Sequence, residues 1–227
     1  MKGKLIVFEG VEGGGKSSQI QRLLTWLEAH PDICDLQDKG EIAQLVLTRE
    51  PGGTDLGQAL RSLLLDASKG ERLCNSAELL LYSADRAQHV TETIQPALAA
   101  GHWVLCDRFV DSTLAYQGYG RGLSLETIGQ LNQTATGGLQ ADLTLWLQLD
   151  VRTGLQRSRR RGQLDRMEQA DLAFHQRVQA GFEALARKAP ERIVAINAEA
   201  TEVDVAHQIQ AVIASKLATW YPALTAS

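Results

Sequence analysis

GVEGGGKS, residues 10–17, fits the pattern G-x-x-x-x-G-K-[S/T]. An apolar run, Leu5–Phe8, precedes it. The stretch after it, Lys16 to about His30, carries Ile20, Leu23, Leu24 and Leu27 on one helical face. Strand, glycine loop, lysine, serine and helix form the context in which this pattern cradles phosphate. Glycines let successive backbone N–H groups turn inward around phosphate oxygens, and the helix N-terminus adds a partial positive charge. The expected triphosphate contacts come from Gly10, Val11, Glu12, Gly13, Gly14, Gly15, Lys16, Ser17 and Ser18. Lys16 would reach the β- and γ-phosphates of a nucleotide, and the Ser17 hydroxyl would bind Mg²⁺.

Outward from this loop, further short apolar runs read as buried strands: Leu45–Thr48, Trp103–Cys106, Leu143–Leu149 and Ile193–Ile196. Helical spacing marks about Ser76–Ala100, Ser124–Thr136, Met167–Lys188 and Val203–Ala218. Alternation of this kind predicts an α/β fold of the P-loop NTPase type, with a five-stranded parallel sheet and helices on both faces. The polar PDICDLQDKGE, residues 31–41, reads as a surface connection, and residues 1–227 as one domain. A net charge of −4 argues against a nucleic-acid-coating surface. No run approaches the roughly 20 apolar residues that span a bilayer, and Cys34, Cys74 and Cys106 lack metal spacing. A cytoplasmic protein with neither nucleic-acid nor membrane partner is expected.

The loop alone does not say what receives the phosphate. An N-K-x-D guanine reader and a D-x-x-G switch are both absent from the sequence. Three other clusters fit an acceptor that already carries a phosphate. TREPGGT, residues 48–54, puts Arg49 at the carboxyl end of the second strand, where ligands of parallel sheets bind. YSADRAQH, residues 82–89, places Tyr82 and Arg86 on one helix face. DRFVDSTLAYQGYGR, residues 107–121, follows the third strand; Asp107 suits Mg²⁺ and Arg108 a phosphate.

In this order, together with RGQLDRME at residues 161–168, these motifs resemble those of the bacterial thymidylate kinases over nearly the whole chain. The resemblance implies γ-phosphate transfer from ATP to dTMP by a homodimer. It implies that Arg49 and Arg108 bind the dTMP phosphate and that Arg86 reads thymine O4. Thr113 faces thymine N3, and Tyr116 lies near the sugar C2′ with Gln117 beside it. Glu12 lies near the 3′-hydroxyl. Tyr82 stands where the family usually stacks a phenylalanine.

GLQRSRRRGQLDRME, residues 154–168, reads as a basic lid, about residues 151–168. The variable positions of the phosphate loop hold no arginine, which resembles the family type whose lid arginines supply the catalytic charge. Arg159 and Arg161 are the expected catalytic pair beside Lys16 and Arg108, with Arg157 and Arg166 as helpers and Arg160 as surface charge. Asp165 and Glu168 either anchor the lid or reach the substrate sugar.

Overall fold

The computed structural model describes residues 3–66, 73–162 and 164–222. Five strands, β1 (Leu5–Glu9), β2 (Leu45–Arg49), β3 (Trp103–Asp107), β4 (Leu143–Gln148) and β5 (Ile193–Asn197), form one sheet in the order β2-β3-β1-β4-β5. Every pairing is parallel. β1 is central and buried at all five positions; Leu5, Ile6, Val7 and Phe8 are apolar on both faces, and Glu9 is the one charged side chain among them. Ile6, Phe8 and Leu105 belong to a large cluster with Ile20, Leu23 and Leu27 of α1 (Lys16–Ala29). Leu5, Val7, Val104 and Cys106 pack on the other face against Val90, Ile94, Ala97 and Leu98.

Four strands run one residue further than the apolar runs that mark them, into Glu9, Arg49, Asp107 and Asn197, whereas β4 stops at Gln148, one residue short of its run. These polar ends lie at the carboxyl edge, where a parallel sheet binds ligands. The expected helix at 76–100 is α4 (Asn75–His89), a π-helical turn (Val90–Ile94) and α5 (Gln95–Ala99). Pro96 stands at the start of α5, where its missing N–H is tolerated.

One helix replaces the expected surface connection, and another forms where no element is expected. Residues 31–41 contain α2 (Pro31–Asp38), which buries Ile33 and Leu36 beneath a mostly polar exterior. α3 (Asp55–Leu65) starts at Thr54, whose hydroxyl accepts the N–H of Gly57. Beyond β3 come α6 (Val110–Thr113), a π-helical segment (Leu114–Gly120) and α7 (Leu125–Thr136). α8 (Val151–Arg161) carries the basic run. The helix expected from Met167 begins only at Leu172, as α9 (Leu172–Lys188), with Asp171 capping the N–H of Phe174. α10 (Glu202–Trp220) closes the described fold.

Candidate active site

At the carboxyl end of the sheet the phosphate loop, the TREPGGT turn, α4, the segment after β3 and the basic segment after β4 surround an open cleft. Glu12, Arg49, Tyr82 and Arg86 line it, as do Arg108, Thr113, Tyr116 and Gln117. The structure thus brings together all eight residues expected at the acceptor.

The loop's glycines answer to packing as well as to phosphate. Gly13 has φ 71°, and a Cβ there would lie 2.1 Å from the carbonyl oxygen of Gly154 on α8. Gly154 in turn touches the carbonyl of Glu12, at 2.4 Å from a would-be Cβ. Loop and lid helix therefore meet backbone to backbone, which leaves no room for an arginine at position 13. Lys16 is buried, and its Nζ donates to the carbonyls of Gly10 and Val11, each at 3.0 Å. Burial, reinforced by Arg108, pushes its ammonium down to about 8.

Glu12 and Arg108 bind donor loop and acceptor cluster to each other. Arg108 Nη2 donates to Glu12 Oε1 at 2.8 Å, and the Tyr116 hydroxyl donates to Glu12 Oε2 at 2.6 Å. Burial alone would raise the Glu12 carboxyl, but Arg108 and Lys16 hold it below the usual range. Arg108 has φ 71°, the left-handed region that a non-glycine residue enters at a cost. Glu9, fully buried at the end of β1, is pushed up to about 7 by burial and by Asp111.

Ser17 and Asp107 also meet. The Ser17 hydroxyl donates to Asp107 Oδ2 at 3.2 Å, while Asp107 Oδ1 is buried with no hydrogen-bond partner among the described residues. A hydroxyl beside a carboxylate with an unused oxygen is a hard donor set. It fits Mg²⁺, which takes one or two protein oxygens and completes its shell with water and phosphate.

Arg86 is more deeply built in than a base reader requires. It is 2% exposed and donates to Glu50 Oε2 at 2.8 Å, to Asn132 Oδ1 at 2.8 Å and to the Phe109 carbonyl at 3.0 Å. Glu50 also contacts His89 Nδ1 at 3.0 Å, and His89 Nε2 meets the Thr48 hydroxyl at 2.6 Å. Gln117 is held as well, by Glu78 Oε1 at 2.8 Å.

The lid arginines divide. Arg161 lines the cleft and pairs with Glu168. Arg159 and Arg160 are exposed and do not line it. Arg157 donates to the Ala198 carbonyl at 3.3 Å. Arg166 does not line the cleft: its Nε donates to the Leu64 carbonyl at 2.7 Å and its Nη2 lies 2.6 Å from Glu78. It ties the segment after α8 to α3 and α4. Asp165 caps the turn at Met167 and Glu168, each N–H at 2.9 Å.

Sequence reasoning missed Arg61, which lines the cleft beside Arg49. Its Nη1 donates to the Pro51 carbonyl at 2.9 Å, and burial together with Arg49 lowers its affinity for a proton. Its position one helical turn before the end of α3 was a usable signal only once α3 was recognised.

The thymidylate kinase family profile matches residues 8–209. The chain belongs to the thymidylate kinase family. A thymidylate kinase of Cyanothece sp. is 57% identical, with 98% of each chain covered. One of Trichodesmium erythraeum is 54% identical over 97% of this chain and 99% of its own. The crystal structure of thymidylate kinase from Ehrlichia chaffeensis superposes with a TM-score of 0.74 at 32% identity, covering 94% of this chain and all of that one. The fold of this thymidylate kinase family member is accordingly the P-loop NTPase fold with a five-stranded parallel sheet.

Proposed function

We infer that the cleft is where this family member holds dTMP against ATP. The enzyme transfers the γ-phosphate of ATP to dTMP, giving dTDP and ADP on the route to dTTP. The observation that carries the site assignment is the meeting of Glu12 with Arg108 and Tyr116. Arg108 lies directly against the phosphate loop, which supports reading it as the residue between donor and acceptor.

On this reading the backbone N–H groups of residues 10–18 hold the ATP phosphates. Lys16 leaves the carbonyls of Gly10 and Val11 for the β- and γ-oxygens. Arg49 and Arg108 receive the dTMP phosphate, and the base lies against Tyr82 with Arg86 and Thr113 at its edge. Tyr116 crowds a ribose 2′-hydroxyl, and Gln117 braces the same wall. Ser17 and Asp107 would hold Mg²⁺, which offsets charge on the β- and γ-oxygens when bound. Arg161 supplies further charge once it is released from Glu168, and Arg159 joins it when the lid closes. The acceptor phosphate is already ionised near neutral pH, so no general base is needed. Positioning and charge neutralisation then carry the catalysis, and the closed lid excludes water that would hydrolyse ATP.

Residues 1–227 act as one domain in this account, with the lid at about 151–168. A homodimer fits it, because Leu56 and Leu63 on α3 and Leu80 on the adjoining α4 are large, apolar and exposed. Among the described residues no helix is long and apolar enough to cross a membrane, in keeping with a cytoplasmic enzyme of small nucleotides.

Arg49 supplies the test. It is exposed at the end of β2, and among the described residues its side chain takes part in no hydrogen bond or ion pair that holds the fold. Arg49→Ala should raise the KM for dTMP about 10- to 100-fold, the worth of a charge-assisted hydrogen bond. The KM for ATP should change little. Steady-state kinetics with each substrate varied in turn checks this; an equal rise for both would remove Arg49 from the acceptor site.

A further inference from the structure

Glu9 is fully buried and does not line the cleft, yet it is connected to it. Its Oε1 accepts two backbone N–H groups, from Phe109 at 2.9 Å and Ser112 at 3.0 Å. Its Oε2 accepts the Ser112 hydroxyl at 2.5 Å. The Ser112 oxygen in turn accepts Nη1 of Arg108 at 3.1 Å. A serine hydroxyl has one hydrogen. Because that hydrogen goes to Glu9, only lone pairs are presented to Arg108, and the direction of the Arg108 contact is set.

The backbone is fixed by the same carboxylate. Arg108 is left-handed, and the bonds on either side of it hold it so: Arg108 N–H to the Phe8 carbonyl at 2.9 Å, and Phe109 N–H to Glu9. On the other side of the guanidinium, Nη2 is taken by Glu12 and, at 3.3 Å, by the Tyr116 hydroxyl. Nε–H and one hydrogen of Nη1 then find no acceptor among the described residues, which leaves them for a phosphate.

We propose that Glu9 and Ser112 are positioning residues for phosphoryl transfer: Glu9, acting through the Ser112 hydroxyl, aims the Arg108 guanidinium at the acceptor phosphate. The proposal rests on Arg108 being an acceptor-phosphate ligand. The two amides satisfy Oε1, and Oε2 takes the Ser112 hydroxyl. Ser112 is a side chain of the cleft wall, so this contact continues to the clamp. Glu9 and Glu12 are three residues apart, so the strand end and the phosphate loop grip the same guanidinium from two sides. The acceptor clamp is thereby aligned by the segment that binds the donor.

The experiment is a double-mutant cycle on Ser112→Ala and Arg108→Lys, with kcat and KM measured separately for dTMP and ATP. Ser112→Ala should lower kcat/KM for dTMP about tenfold, the scale of losing one hydrogen bond to a charged group, with the KM for ATP within about twofold. Ser112→Thr, which keeps the hydroxyl, should restore most of the loss. Glu9→Gln, which keeps the shape and the carbonyl acceptor but turns a donor toward Ser112, should reproduce the Ser112→Ala effect. In the Arg108→Lys background Ser112→Ala should add less than about twofold, because its route to the substrate is gone. Losses that multiply across the cycle, equal losses for both substrates, or a lowered Tm with unchanged kinetics would each overturn the relay. If Arg108→Lys alone left dTMP use intact, Arg108 would not be an acceptor ligand, and the reading beneath the relay would fall with it.

Discussion

Replacing Lys16 with alanine should lower kcat by at least about 10²- to 10³-fold while the protein stays folded, as expected when one preorganised charge on a transferring phosphoryl group is lost. The fold should survive because, among the described residues, the side chain's hydrogen bonds go to two loop carbonyls, and because a desolvated ammonium is removed with it. The same lysine makes ATP binding depend on pH. In the unliganded site its ammonium is pushed from an ordinary 10.5 down to about 8 by burial and by Arg108. The folded state therefore holds fewer protons than the unfolded chain between those values. Stability of the empty enzyme rises with pH across that window, while the form that binds phosphate disappears. ATP affinity should fall about fivefold from pH 8 to pH 9, with proton uptake on binding, by one-proton linkage. Calorimetry in buffers of different ionisation enthalpy reads that uptake directly. Near-normal turnover by Lys16→Ala, or pH-independent ATP affinity through this range, would count against the assignment.

Arg86→Ala should damage both the fold and dTMP use. The substitution removes the partner of Glu50, which is 4% exposed and would keep only His89. It also leaves Asn132 and the Phe109 carbonyl without a donor. Breaking a buried ion pair from one side costs about 3–5 kcal/mol, which in a chain of this size lowers Tm by about 10 °C. Kinetics taken well below that Tm should still show a larger loss for dTMP than for ATP, since Arg86 lines the acceptor part of the cleft. Arg86→Lys should recover little of either, because a point charge cannot serve three acceptors held in the geometry of a planar fork. An unchanged melting curve for Arg86→Ala would refute the structural half of this account.

The parts of the molecule that follow a local rule were readable in advance. Strand, loop, Lys16 and helix form a contiguous pattern with a physical reason at each position, and the alternation of apolar runs with helical spacing leads to the parallel sheet. The acceptor residues were reached through motifs whose members lie tens of residues apart, and the cleft brings them together. What escaped depended on contacts over long sequence separation. Glu9 looks like the end of a strand until Phe109 and Ser112 fold onto it from a hundred residues away. Arg166 reads as one more lid charge, and only Glu78 and the Leu64 carbonyl make it a tether. α2 was hidden because a mostly polar stretch needs just Ile33 and Leu36 to seat it. α3 was hidden behind the turn residues before it, although Thr54 is a good helix start. The glycine at position 13 was legible as the absence of an arginine. The reason, contact with the Gly154 carbonyl, is tertiary.

The central claim is that one cleft passes phosphate from ATP to dTMP, and a coupled ADP-release assay against a panel of nucleoside monophosphates tests it most directly. The account predicts rapid ADP release with dTMP and an equal yield of dTDP. It predicts far slower release with ribonucleotides, whose 2′-hydroxyl meets Tyr116, and with thymidine, which offers Arg49 and Arg108 no phosphate. ADP release no faster with dTMP than with water alone would contradict it.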